Sequence, residues 1–171
     1  MVKAIQFHKP GKPSVLKLEE VALGRPRKGQ VQLRHTAIGL NYIDTYQRSG
    51  LYPLPLPSGL GMEAAGVIEA IGAGVRHLKV GDRVAYGSGA PGAYSEARIM
   101  DAATVVKIPR GIPDEAAAAM MLKGMTVEYL IRRTYRVKRG QTVLFHAAAG
   151  GVGLIAGQWL KALGARAIGT A

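Results

Sequence analysis

Over the first 110 positions the chain reads as short runs in which apolar and polar residues alternate, interrupted by glycine and proline. Alternation with a period of two buries one face of a strand and leaves the other in water. The pattern predicts strands over Val2–His8, Val15–Val21, Val31–Ile38, Ala65–Ile71, Arg83–Tyr86, Tyr94–Ile99 and Thr104–Ile108, with turns at Lys9-Pro10-Gly11 and Val80-Gly81-Asp82. Many short strands with such turns form a barrel or a sandwich. Two stretches break the series. Asn41 to Arg48 suits a short helix capped by Asn41, and the proline-rich residues 51–61 cannot join a central strand.

The period changes after Pro113. Residues 114–135 follow a helical spacing, with Asp114 and Glu115 at the positive end and Gly124 expected to divide the run. Residues 142–147 (TVLFHA) return to a short apolar strand that ends in small residues and Gly150, Gly151 and Gly153. Leu154 to Leu163 is helical again, with Lys161 near its end and Gly164 as a stop, and a second strand follows.

Strand, glycine turn, helix and strand are the entry of a dinucleotide-binding unit. Its fingerprint G-x-G-x-x-G is met here by Ala148, Gly150 and Gly153, with alanine in the first slot. Glycines belong there because a pyrophosphate must approach free N–H groups at a helix N-terminus, and a Cβ would hold it away. Gly150, Gly151, Val152 and Gly153 are therefore the candidate phosphate-binding residues. The alternative is a tight turn that packs a helix on a sheet without a ligand.

At 171 residues, 48% hydrophobic and mean hydropathy +0.09, the chain can build a core and fits one large domain or a domain plus a fragment. No targeting signal and no apolar run of membrane-spanning length is seen, so a cytoplasmic protein is the expectation. The absence of cysteine excludes disulfides, thiolate metal sites and a cysteine nucleophile in this chain. The formal charge of +12 raises nucleic acid as a partner, but the excess is spread: 12 basic and 6 acidic groups in residues 1–85, 11 and 5 in residues 86–171. The one dense run, Arg132, Arg133, Arg136, Lys138 and Arg139, follows a helical segment, where cations offset the helix dipole and face water. A solvated helix end is favoured over a polyanion site.

The whole chain resembles the N-terminal half of a quinone oxidoreductase of the zeta-crystallin type, in the medium-chain dehydrogenase/reductase superfamily. The matching stretches are AIGLNYIDTYQRSGLYP (37–53), LPSGLGMEAAGVIEAIGAGV (56–75), VGDRVAY (80–86), GAYSEARI (92–99), LKGMTVEYLI (122–131) and FHAAAGGVGLIAGQWLKALGA (145–165), in the family's order. The resemblance implies an α/β protein: a chaperonin-10-like, β-rich catalytic domain over 1–125, then the start of a Rossmann domain over 126–171. It further implies NADPH as cofactor, a quinone as substrate and a homodimer at full length. Zinc-dependent relatives hold the metal with a cysteine and a histidine where this chain has Asn41 and Met62, neither suited to Zn²⁺. The four histidines, His8, His35, His77 and His146, show no ligand spacing, so no metal is expected. Without a Lewis acid, alcohol oxidation is disfavoured and reduction of an already electrophilic quinone or enone is favoured.

By the same resemblance Asn41, Tyr42, Asp44, Thr45 and Tyr46 face the nicotinamide and its ribose, and Thr126 lies near the carboxamide. Tyr46 and Tyr52 are the candidate catalytic residues, since a phenol offers both a stacking face and a donor to a developing oxyanion. Either tyrosine could instead be a packed half-buried aromatic, Asp44 a helix N-terminal charge, and Glu63 the partner of a nearby cation. Cofactor choice normally depends on a side chain about twenty residues past the glycine turn, which brings the count to Thr170, a candidate cofactor-binding residue, and places the deciding residues at or past Ala171. No acidic residue occurs between Gly150 and Ala171, which disfavours a ribose-binding carboxylate. With two parallel strands in place of a full sheet, the chain is expected to be incomplete and poorly active by itself. The other readings are an alkenal or enoyl reductase on the same scaffold, and a noncatalytic relative that binds RNA or serves a structural role.

Overall fold

Alternation acts first on residues Val2–Phe7 (β1), whose Val2, Ala4 and Phe7 point inward. This strand pairs antiparallel with Lys17–Val21 (β2), from Val2 opposite Val21 to Gln6 opposite Lys17. The longest strand, Gln30–Gly39 (β3), leads into the helix Tyr42–Ser49 (α1), and the two residues Ser58–Gly59 (β4) then pair with the free side of β1. Glu63–Ile71 (β5), Arg83–Tyr86 (β6), Ala97–Asp101 (β7) and Val106–Lys107 (β8) join β3 in a five-stranded antiparallel sheet of order β7-β3-β5-β6-β8. Val31, Leu33, Ala64, Ile68, Leu78, Val84 and Tyr86 form its buried centre, each larger side chain stabilising the fold by about 1.5–3 kcal/mol through burial. Irregularities at Gln32/Leu33 and His35/Ala37 shift the pairing of β3 with β5, and such bulges bend and twist a strand.

The chain is described over all 171 residues by a computed structural model. It divides into two compact units, Met1–Ala119 and Met120–Ala171. The division falls within the helix Asp114–Glu128 (α2). In the second unit Thr142–Phe145 (β9) and Arg166–Gly169 (β10) are parallel, Arg166 opposite Thr142 and Gly169 opposite Phe145, with the helix Gly151–Ala162 (α3) connecting them. Val127, Ile131, Val137, Ala156 and Leu160 are its core. Leu144 and Ile168 stand 58% and 47% exposed on the two-stranded sheet, because a pair of strands has too little covering to bury both faces.

Several expected elements are displaced. The strand expected at Val15–Val21 begins only at Lys17, since Pro13–Val15 forms a 3₁₀ turn that proline's fixed φ and missing N–H favour. The strand expected at Tyr94–Ile99 is Ala97–Asp101; ahead of it Gly92, at φ +136°, turns the chain, and Ser95 makes only a single bridge to Ala4. Thr104–Ile108 shrinks to Val106–Lys107 because the Asp101 carboxylate accepts from the Ala103 N–H and starts a 3₁₀ turn at Ala102–Thr104. Gly124 does not divide the long helix. The helix runs through it and departs from α geometry later, at a π-helical turn over Tyr129–Thr134 closed by the Tyr135 N–H to the Leu130 carbonyl. Glycine inside a helix costs about 1 kcal/mol, too little to end a helix held by tertiary packing. The last helix starts three residues earlier than its apolar spacing shows, at Gly151 and not Leu154, because small residues carry no hydrophobic period.

His35, on β3, is held in a polar chain through the first unit. Its Nδ1 donates to the Ser95 carbonyl at 2.7 Å, which leaves Nε2 to accept from the Tyr86 hydroxyl at 2.9 Å. The Arg98 guanidinium lies over the Tyr86 ring, 5.3 Å from its centroid. Burial, reinforced by Arg98 and opposed by the Ser95 bond, lowers the His35 pKa from 6.5 to about 4. The folded protein thus binds this proton less readily than the unfolded chain does. Stability from this group is complete above the ordinary histidine value and declines as pH falls toward about 4, by an amount on the order of 3 kcal/mol. Thermal melts across that window should show His35→Gln with a shallower loss of stability than the parent, whereas parallel profiles would show that His35 is not the group responsible.

Candidate active site

In the first unit the candidate residues gather where β3 ends and α1 begins. Asn41 is the N-cap of α1, in extended backbone, and its N–H donates to the Asp44 carboxylate at 2.9 Å. Asp44 is thus the helix N-terminal charge expected of it, and it is more than that. Its Oδ2 also accepts from the Tyr94 hydroxyl at 2.7 Å, while its Oδ1 is buried without a hydrogen-bond partner. Burial, with the Asp44 bond and charge added, raises the Tyr94 hydroxyl well above the ordinary phenol value, so it stays a donor. Tyr94 escaped the sequence reading because it lies 50 residues from Asp44, and no spacing rule links them.

The Asn41 side chain turns the other way. Its Nδ2 donates at 2.8 Å to Oε1 of Glu63, a residue with no exposed surface. A carboxyl group so placed needs hydrogen-bond partners for its oxygens, and the amide of Asn41 is one of them. Gly39 makes room for it: a Cβ there would collide with the Glu63 side chain and with the Ala118 carbonyl. The other zinc-ligand position, Met62, receives the Gln47 amide on its sulfur at 3.7 Å. No three His, Cys, Asp or Glu side chains come together as a metal-binding group.

The tyrosines form a line along α1 and the loop after it. Tyr42 and Tyr46 meet edge to face at 5.1 Å and Tyr46 and Tyr52 at 5.3 Å, with Tyr42 73% and Tyr52 51% exposed. The Tyr52 N–H bonds the Tyr46 carbonyl at 3.2 Å and fixes the loop against the helix. Thr45 spends its hydroxyl proton on the Tyr42 carbonyl at 2.7 Å. Asn41, Tyr42, Asp44, Thr45, Tyr46 and Tyr52 thus belong to one local assembly, with phenol faces available on its outer side.

The second unit holds the remaining candidates. Helix α3 starts with Gly150 as N-cap in extended backbone and without a side-chain cap, so the N–H groups of Gly151, Val152 and Gly153 lack the donors' usual side-chain acceptor. At Gly153 a Cβ would strike the backbone of Ala147 and Ala148, which shows how closely the turn and helix approach. At Gly151 a Cβ would meet the stem of Lys123 at 2.9 Å. Ala147 adopts φ 54°, the left-handed region, which alanine enters at a cost of about 1–2 kcal/mol. An open cleft of about 500 Å³ lies along Leu144 to Ala147 and Gly150 to Val152. Free N–H groups, an uncapped dipole and glycines at the approach suit a pyrophosphate. Thr126 sits on α2 with its hydroxyl bonded to the Leu122 carbonyl at 2.8 Å, and Thr170 follows β10 at the edge of the glycine turn. In the basic run, Arg133 pairs with Glu128 at 2.9 Å and the arginines are solvent-exposed.

Residues 27–110 match the alcohol dehydrogenase GroES-like domain. A quinone oxidoreductase of Pseudomonas aeruginosa is 56% identical over 171 residues, 99% of this chain and 53% of the relative. The chain is thus similar to quinone oxidoreductases along nearly its whole length. The crystal structure of the Escherichia coli quinone oxidoreductase complexed with NADPH superimposes with a TM-score of 0.94 at 54% identity, covering 98% of this chain and 52% of that one. A 2-haloacrylate reductase of a Burkholderia species is 47% identical over 99% of this chain and 53% of its own. The chain spans about half the length of the curated relatives it matches. Its fold is shared with these relatives: a GroES-like β-rich unit followed by a β–α–β of a Rossmann sheet.

Asn41→Ala removes an amide donor from a carboxylate that has no exposed surface. The variant should lose about 1–3 kcal/mol of stability, read as a lower urea midpoint at unchanged slope. A neutral result would mean that the Asn41 bond is not what retains Glu63.

Proposed function

We propose that the protein is an NADPH-dependent quinone reductase that works without a metal. The observation that carries this reading is the start of α3: a glycine turn without a side-chain cap, between two parallel strands. Gly151, Val152 and Gly153 donate backbone N–H groups to the pyrophosphate, and Gly150, whose own N–H is held by the Ala147 carbonyl at 2.9 Å, leaves the approach open. Asn41 and Thr45 orient the nicotinamide end with neutral dipoles, Asn41 being held in place by Glu63 and the helix start by Asp44. Bound NADPH supplies the hydride. Tyr46 and Tyr52 stack on the acceptor ring and donate to the oxygen on which charge develops. The rest of the task is positioning and exclusion of water, because a quinone is electrophilic before it binds.

The domain assignment belongs to the same proposal, 1–125 catalytic and 126–171 opening the cofactor domain, as does homodimeric assembly, which rests on the resemblance alone. The lack of cysteine is in keeping with a reducing, cytoplasmic setting, and no helix is long and apolar enough to cross a membrane. The 47% identity to a 2-haloacrylate reductase supports a second reading, in which an activated alkene takes the quinone's place.

The test is the protein expressed from its complete reading frame, mixed with NADPH and either a benzoquinone or an α,β-unsaturated acid. Quinone-dependent loss of NADPH absorbance is expected, and turnover of the unsaturated acid alone would favour the second reading. Tyr52→Phe should lower kcat by on the order of tenfold or more if its hydroxyl donates to the oxyanion. An unchanged kcat would reduce Tyr52 to a stacking surface.

A further inference from the structure

The basic run that follows α2 is not alone at its end of the second unit. Strands β9 and β10 are parallel, with Arg166 opposite Thr142, so both start at one end, and α3, which connects them, finishes there. Lys161 lies in the last turn of α3 and Arg166 begins β10. The segment from α2 into β9 is knitted to the same place. The Gly140 N–H donates to the Gly164 carbonyl at 2.9 Å, the Arg166 N–H donates to the Gln141 carbonyl at 2.8 Å, and a Cβ at Gly164 would meet the Arg139 stem at 3.0 Å. Upstream, the Val137 N–H bonds the Ile131 carbonyl at 3.0 Å, and the Gln141 side chain accepts from the Lys138 N–H at 2.7 Å and donates to the Tyr135 hydroxyl at 3.1 Å. Arg132, Arg133, Arg136, Lys138 and Arg139 thus share with Lys161 and Arg166 the end opposite the glycine turn. All are exposed, and Tyr135 stands among them at 58% exposure. In the first unit, by contrast, Arg34, Arg83 and Lys107 each meet a carboxylate.

We propose that this end of the second unit is a peripheral docking surface for an anionic phospholipid bilayer. Its cations come from the ends of two helices and two strands, so they form an end face and not a track along one element. A flat anionic sheet meets such a face all at once, and the potential of an anionic leaflet strengthens binding for each Lys or Arg brought near it. Long basic side chains lay their apolar stems along the headgroup level while the charge reaches the phosphates. An exposed tyrosine among them suits the same level, with its ring toward the acyl boundary and its hydroxyl in water. The surface does not depend on the reductase reading. Its consequence does: a quinone with an apolar side chain dissolves in the bilayer, and docking by this end keeps the enzyme beside its acceptor.

The experiment is sedimentation of the protein, expressed from its complete reading frame, with vesicles of phosphatidylcholine with and without phosphatidylglycerol. The parent should bind the anionic vesicles, release them as salt is added and ignore the neutral ones. Each cation at the surface is expected to strengthen binding by about fivefold. A variant with Arg132→Gln, Arg136→Gln and Lys138→Gln should therefore bind about a hundredfold more weakly, and one with Lys161→Gln and Arg166→Gln about tenfold or more. Lys9, Lys12 and Lys17 are exposed on the first unit, and their replacement by Gln removes the same charge as the triple variant but should change binding by no more than about twofold. No binding of anionic vesicles, or equal loss in the first-unit variant, would overturn the proposal. So would tighter binding of single-stranded RNA that the end-face variants abolish, which would make this a nucleic-acid surface. NADPH oxidation by a soluble benzoquinone, followed in the same variants, reads the reductase assignment separately and should be unchanged by the end-face substitutions.

Discussion

Glu63 is a carboxylate withdrawn wholly from water, and the first unit is arranged around that fact. A buried polar group is costly unless its lone pairs are used. The Asn41 amide answers one of them, and in doing so it ties the start of α1 to the start of β5. The register of β3 against β5, in which Gly39 stands opposite Glu63, brings the carboxylate there, and the missing side chain of Gly39 leaves the space it fills. Asp44 then fixes the first turn of α1 through the Asn41 N–H and reaches Tyr94 on the far side. Strand register, helix start and the tyrosine line of α1 are in this way parts of one polar network inside an apolar shell, where each unmade bond would be expensive.

The second unit rests on a different constraint, close approach. Gly153 and Gly169 are positions where a single methyl group would strike Ala148 or its backbone, so the turn, the helix and the second strand meet at backbone distance. The same closeness leaves the first N–H groups of α3 uncapped and sets Thr170 beside His146. The uncapped helix start and the fixed end of the second strand come from one packing requirement.

The polar chain His35–Tyr86–Arg98 shows how little of such a network is visible in a linear pattern. His35 occupies a strand position like any other polar residue. Its depressed pKa arises from burial between β3 and residues 51 and 63 positions further along, Tyr86 and Arg98. The same holds for Tyr94 and Asp44. The Asn41 amide is one partner of Glu63, and from residues 22 positions apart no local rule could have said so.

Where the chemistry is local, the amino-acid sequence decides. Residue alternation determined β1, β3, β5 and β6, the Asn41–Asp44 spacing determined the start of α1, and the glycine string determined the β9–α3 turn, because these depend on neighbours within a few positions. Proline and 3₁₀ turns cut short the strands expected at Val15 and Thr104 for reasons that only the competing side-chain and backbone bonds reveal. Tertiary structure alone decided that Gly124 stays helical, that Glu63 is retained by Asn41 and that His146 faces Thr170. Each of these turns on a packing contact or a hydrogen bond between residues distant in sequence, and the energy of such a bond does not exist until the fold has closed.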